Sequence, residues 1–128
     1  MAEISNYLEN AIINATLRNT TYTSPSTVYV GLYTSDPTDA NTGTEISGGS
    51  YARKEATFNA PTNGVASSDA DIVFNTATAN WGTITHIGIL DALTSGNLLY
   101  HTELDVSKTI DANDIFRINA GGLTVTIA

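Results

Sequence analysis

A polar segment at residues 35–49 holds the side chains that come closest to a metal site. They are the oxygen-bearing side chains of Asp36, Asp39, Asn41 and Glu45. Calcium binds carboxylate and amide oxygens on flexible loops, but this segment matches only a fragment of an EF-hand loop and lacks the flanking helices. Turn formation, with Asp36 capping a turn, is the simpler interpretation. The sequence therefore predicts no metal and no cofactor.

Other catalytic chemistry has little support in the sequence. His86 and His101 could face each other across a hairpin, which would be half of a metal site or a base without a nucleophile. The spacing suggests no third ligand, so we interpret both as ordinary strand residues. Residues 47–50 lack the strand–turn–helix context of a nucleophilic serine, and no carboxylate pair stands out for glycoside hydrolysis. We expect a protein that is not an enzyme.

Charge and composition restrict the partners. The 128 residues include 13 acidic and 5 basic side chains, a net charge of -8, so nucleic acid and anionic membranes would be repelled. No apolar run approaches the ~20 residues of a membrane span, and there is no cysteine for a disulfide or thiolate site. This length suits one domain, which we expect to span residues 1–128.

Apolar residues at helical spacing predict one amphipathic helix over residues 3–18. Its stripe consists of Ile4, Leu8, Ala11, Ile12 and Ala15. A polar run and then Pro25 end the helix, because proline cannot extend one. The stripe could dock on its own domain or on a neighbour. We therefore treat Ile4, Leu8 and Ile12 as interface candidates.

The rest of the chain has the pattern of strands and turns. Residues 27–34 are apolar or aromatic on both faces, which predicts a central strand, and residues 78–104 have the pattern of a β-hairpin that turns at Asp91–Asn97. Residues 35–49 have turn residues and little to bury, which predicts a long loop projecting from the domain. Short strands come after it at even spacing. We expect a mainly β protein: an antiparallel β-sandwich, jelly-roll-like or Greek-key, over residues 27–128 with one N-terminal α-helix.

Aromatic side chains are the second set of interface candidates. Tyr29 and Tyr33 lie on one face of the predicted central strand, and Trp81 begins the hairpin. Exposed rings at these positions would offer a surface to a protein or glycan partner. A tryptophan beside a glycine at a strand start more often packs over the sheet edge. One helix can cover only one sheet face, so some apolar surface should remain for neighbours.

Sequence motifs along nearly the whole chain resemble those of small tail-fibre-like or tail-associated bacteriophage proteins. They are ISNYLENAIINATLR, then VYVGLYTSDPTDANTGTEISGGSYARKEATF, then TANWGTITHIGILDA and GNLLYHTEL. These motifs consist of turns and strand faces. The resemblance implies a non-enzymatic virion component, made in the host cytoplasm, and it carries no catalytic residues to transfer.

The resemblance leads us to expect a structural accessory of the tail or tail-fibre apparatus. Its partners would be other copies of itself and other virion proteins, with no nucleic acid or membrane. One alternative is a capsid decoration protein that joins neighbouring capsomers from outside. A further alternative is a module that binds host-surface glycans through its tyrosine and tryptophan side chains.

Overall fold

The computed structural model describes residues 2–127 and has one helix and nine strands within that range. The helix is α1, Asn6–Leu17. The strands are β1 Glu3–Ile4, β2 Val28–Tyr33, β3 Lys54–Ala56, β4 Val65–Ser67, β5 Ile72–Val73, β6 Gly82–Leu90, β7 Leu98–Ile110, β8 Arg117–Ile118 and β9 Thr124–Thr126. This confirms a mainly β fold with one N-terminal helix. Within residues 2–127 no helix has the length and apolar character needed to cross a membrane.

The largest sheet is antiparallel and has the strand order β1-β7-β6-β2-β3. β2 lies between β6 and β3, which confirms the predicted central strand. Gly31 pairs with Gly88 at the middle of the β2–β6 ladder. A Cβ on residue 88 would lie 2.9 Å from the Tyr33 ring. Only a residue without a side chain therefore leaves room for that ring.

β6 and β7 form the predicted hairpin. The Asp91 carboxylate closes its turn by accepting hydrogen bonds from the backbone N–H of Asn97 at 2.7 Å and from the Asn97 side chain at 3.0 Å. Gly96 has φ +75°, a conformation that glycine adopts without a steric penalty. Strand β7 continues to Ile110, six residues past the predicted end of the hairpin at Leu104.

A large bulge interrupts the hairpin. Ile84 pairs with Lys108, but His86 pairs with Glu103, so one residue of β6 faces four residues of β7. Residues 104–107 therefore leave the ladder, and the Val106 side chain is 68% exposed. Bulges of this kind bend a strand and redirect its side chains.

Two short antiparallel ribbons, β4–β9 and β5–β8, make up the remaining strands. Their apolar residues share one core with the main sheet. From the sheet these are Val30, Leu32, Ile84, Ile87 and Ile89, and from the ribbons Ile72, Phe116 and Val125. The antiparallel β prediction is confirmed, but two separate ribbons stand where the expected sandwich would have a second continuous sheet.

The helix begins later than the predicted residue 3. Glu3 and Ile4 pair with His101 and Tyr100 of β7, so they belong to a strand. Ser5 then caps the helix, because its hydroxyl accepts a hydrogen bond from the Leu8 N–H and donates one to the Leu98 carbonyl. At the other end Asn19 has φ +53°, and the Thr20 N–H bonds back to the Asn14 carbonyl.

Candidate interaction surfaces

Glu45, at the end of the 35–49 loop, forms a two-pronged ion pair with Arg53. The Arg53 Nε lies 2.8 Å from Glu45 Oε2, and the Nη2 lies 2.7 Å from Oε1. The Tyr51 hydroxyl donates to the same Oε2 at 2.6 Å and accepts from the Leu32 N–H. The Arg53 side chain is only 9% exposed. Because these hydrogen bonds replace the lost water contacts, the pair can stand in a largely buried position.

Arg53 also holds the hairpin turn. Its Nη1 donates to the carbonyl oxygens of Ala92 and Ser95, each at 2.8 Å. The hydrogen bond to Glu45 is the main reason that the pKa of Arg53 is raised. Burial, followed by the hydrogen bond to Glu45, raises the pKa of Tyr51. One guanidinium thus joins the 35–49 loop to the turn of the β6–β7 hairpin.

The structure does not gather around one point the four side chains considered as possible calcium ligands. Asp36 Oδ1 caps its own turn by accepting from the Thr38 N–H at 2.8 Å, as the sequence suggested. Asn41 accepts from the Tyr33 hydroxyl at 3.2 Å, and Glu45 is paired with Arg53. Asp39 instead lies 2.8 Å from a ring nitrogen of His101 on β7.

Residues 35–49 form a loop, as predicted, but the loop lies against the domain rather than projecting from it. Pro37 is fully buried and Ile46 is 7% exposed. The Asp39 carbonyl also accepts a hydrogen bond from the N–H of Asn6 at the start of α1. The two buried apolar side chains and several long-range polar contacts hold the 35–49 loop against the domain, although the loop has few other groups to bury.

Two of the three aromatic interface candidates, Tyr33 and Trp81, are buried, and for Trp81 this is the packed position that the sequence favoured. Tyr33 is 2% exposed, and burial raises its pKa to about 12. Trp81 is 6% exposed, its indole N–H donates to the Gly49 carbonyl at 2.9 Å, and its ring meets Tyr51 edge-on. Tyr29 is half-buried on β2. Tyr33 and Trp81 therefore offer no exposed ring to a partner.

The helix packs on its own domain through the predicted stripe. Leu8 is 5% exposed, Ile12 is half-buried, and α1 lies against β7. Ile4 is half-buried in β1. On another side of the helix Ile13 is 52% exposed and Leu17 is 79% exposed. Glu9, one turn before Ile13, completes a row spaced by four residues, which we name the outer helix row (Glu9, Ile13, Leu17).

A groove of about 520 Å³ lies where the β7 bulge faces the segment around β8. Val106 of the bulge and Ile115 are 68% and 54% exposed, and Phe116 lies beneath them. Its charged lining residues are Asp105, Lys108 and Arg117, and Arg117 is paired with Asp71. We name it the bulge groove. Nothing in the sequence pattern marks it, because it arises from a shift in strand register.

The two histidines do not face each other directly across the hairpin. His101 pairs with Gly88, and His86 pairs with Glu103. The His86 Nδ1 lies 2.8 Å from the hydroxyl of the adjacent Thr85. These two rings therefore do not form the half-site for a metal or base that we considered from the sequence.

A known protein family matches almost the whole chain. The family model described as Podophage GP4 fiber I protein gp80 matches residues 3–126. No curated protein matches the chain.

Proposed function

We propose how this chain assembles from the fact that it belongs to the Podophage GP4 fiber I protein gp80 family. Membership makes it a phage fibre structural protein and a virion component. It is a non-enzymatic subunit of the tail or tail-fibre apparatus, made in the host cytoplasm. It joins other copies of itself and other virion proteins through its exposed apolar surfaces.

The observation that carries this proposal is the pair of surfaces formed by the outer helix row and the bulge groove. Ile13 and Leu17 project from a helix, whereas Val106 and Ile115 border a depression. Exposed apolar groups gathered in one place favour contact with another protein, because that contact removes them from water. A ridge and a groove on one molecule have complementary shapes.

Lys108 gives the bulge groove one basic side chain that could face Glu9 of the outer helix row. It is one of five basic residues in a chain of net charge -8, and it shares the groove with Asp105 and with Arg117, which is paired with Asp71. Opposite charges at the edges of an apolar contact favour the correct partner and orientation. A contact between two different surfaces is head-to-tail, and its repetition gives a ring or a filament. Such growth suits a fibre subunit.

The alternatives differ in what they require. A glycan-binding module needs exposed aromatic faces, and the burial of Tyr33 and Trp81 argues against it.

A capsid decoration protein would use the same apolar surfaces on a different part of the particle. Electron micrographs of virions labelled with an antibody to this chain separate the two: label on the tail or fibre supports the proposal, and label over the capsid contradicts it.

Self-association is tested with the purified chain by sedimentation velocity. We expect Leu17→Ser and Val106→Ser each to shift the chain towards monomer, because each places a hydroxyl in the apolar contact. The matched control is Val73→Ser, since Val73 is 43% exposed on β5 and belongs to neither surface. Equal sedimentation coefficients for all three variants and the parent chain would contradict the proposed contact.

A further inference from the structure

Three distant segments of the chain bring Glu3, Asp39 and His101 together. Glu3 lies directly opposite His101 in the β1–β7 pair, and the 35–49 loop supplies Asp39. One nitrogen or oxygen of each side chain lies within 4.8 Å of the other two. The His101 Nε2 is 2.8 Å from Asp39 Oδ1 and 3.8 Å from Glu3 Oε2.

These separations suit ligands of one metal ion. An ion bound at about 2.1 Å from each ligand holds neighbouring ligand atoms roughly 3 to 4 Å apart. The backbone already fixes the three groups, because β-pairing holds Glu3 and the Asn6 N–H holds the Asp39 carbonyl at 3.0 Å. Only small side-chain rotations are needed to complete the site.

The burial of the three groups differs in a way that fits a metal site. His101 is 4% exposed, whereas the side chains of Glu3 and Asp39 are 72% and 45% exposed. A buried imidazole would fix one ligand, while the open side admits the ion and leaves room for a water molecule. This histidine is also one of only three buried polar or charged residues among those that the structure describes, and the ring is directed at two carboxylates.

The other ring nitrogen of His101 has a carboxylate near it as well. Nδ1 lies 3.8 Å from Asp36 Oδ1. This distance is too long for a hydrogen bond, so Asp36 adds a nearby negative charge. Three carboxylates around one ring also repel one another, and a divalent cation would offset that repulsion.

From this geometry we propose that Glu3, Asp39 and His101 bind a divalent first-row transition ion, with Zn²⁺ as the best fit. One imidazole nitrogen and two carboxylate oxygens are common zinc ligands. Calcium and magnesium prefer oxygen ligands alone. The bound ion would tie β1 and the 35–49 loop to β7. This site shares only Asp39 with the calcium ligands considered from the sequence.

The test uses the full chain, first treated with a chelator and then titrated with ZnCl₂ by calorimetry and thermal melting. We expect one ion to bind and the melting temperature to rise, with no such effect from CaCl₂. NMR adds an internal control, because zinc should shift the ring signals of His101 and leave those of His86 in place.

Glu3→Gln and Asp39→Asn should each weaken zinc binding at least tenfold while leaving the fold intact, since both side chains are partly exposed. Asp36→Asn should weaken it less than either of these, because Asp36 lies 3.8 Å from the other ring nitrogen and acts only through its charge. The control is Glu55→Gln, an exposed carboxylate on β3 at the opposite edge of the sheet. Absence of zinc binding, or zinc affinity unchanged in both Glu3→Gln and Asp39→Asn, would overturn the proposal.

Discussion

Arg53 shows at the residue scale how one side chain links separate parts of this fold. Its guanidinium contacts Glu45 of the loop and two carbonyls of the hairpin turn. The sequence marked Arg53 and Tyr51 only as parts of a family motif, and it placed Glu45 among possible calcium ligands. Sequence spacing could not reveal their contacts, because partners separated by six to 42 residues are brought together only by the fold.

Removing Arg53 should be costly. Arg53→Met leaves Glu45 partly buried without its counter-charge, and we expect a loss of about 3 kcal/mol of folding free energy. Arg53→Lys keeps the charge but not the planar fork, so it should cost about 1 to 2 kcal/mol. Urea denaturation measures both. Arg18→Met is the control, because Arg18 is exposed just after α1 and its guanidinium donates to Asn14, one turn earlier. A loss for Arg53→Met no larger than for the control would contradict this role.

The buried tyrosines predict instability in alkali. The pKa of Tyr33 is raised from 10.0 to about 12, and that of Tyr51 is also raised. The folded state therefore holds these protons more tightly than the unfolded chain does. The stability that this difference in proton binding gives the folded state is complete below pH 10. It is lost as the pH rises from 10 towards 12.

Urea denaturation at pH 9 and pH 11 measures this loss as a fall in the free energy of unfolding. Tyr33→Phe should reduce the fall, because phenylalanine has no proton to lose. A free energy that is equal at pH 9 and pH 11 in the parent chain would refute the assignment.

The elements divide into those that the sequence pattern predicted and those that long-range contacts determined. The helix, the central strand β2 and the hairpin were predicted, because each has its own periodicity and turn residues. The helix start was misplaced, since Ile4 is paired in β1 and Ser5 caps the helix after it. The loop's packing was also missed. Pro37 looks like a turn residue in the sequence, yet the fold buries it fully.

The two sides of α1 should respond differently to truncation. Leu8→Ala should cost about 2 to 5 kcal/mol, because it leaves a cavity where a buried side chain packs on the domain. Ile13→Ala and Leu17→Ala should change the free energy of unfolding by less than about 0.5 kcal/mol, since both side chains are exposed and alanine favours helix. Thermal and urea unfolding of dilute protein provide the comparison. Equal losses for Leu8→Ala and Leu17→Ala would show that the helix is not docked as described.

At the scale of the whole molecule, the outer helix row and the bulge groove are exposed apolar surfaces within residues 2–127. The bulge groove could not be predicted from the sequence, because it depends on the register of β6 and β7. The sequence could indicate that some apolar surface remains for neighbours. Its position, and its division into a ridge and a groove, required the three-dimensional structure.

Cross-linking within assembled fibres tests the central claim most directly, because the chain has no native cysteine. A variant with both Leu17→Cys and Val106→Cys places one thiol on each proposed surface. A disulfide forms only if the two Cα atoms come within about 7 Å. Under mild oxidation we predict a ladder of covalent oligomers, and the control variant with Leu17→Cys and Val73→Cys should give none. Fibres that assemble from the Leu17→Cys, Val106→Cys variant but yield only monomer after oxidation would contradict head-to-tail assembly through the outer helix row and the bulge groove.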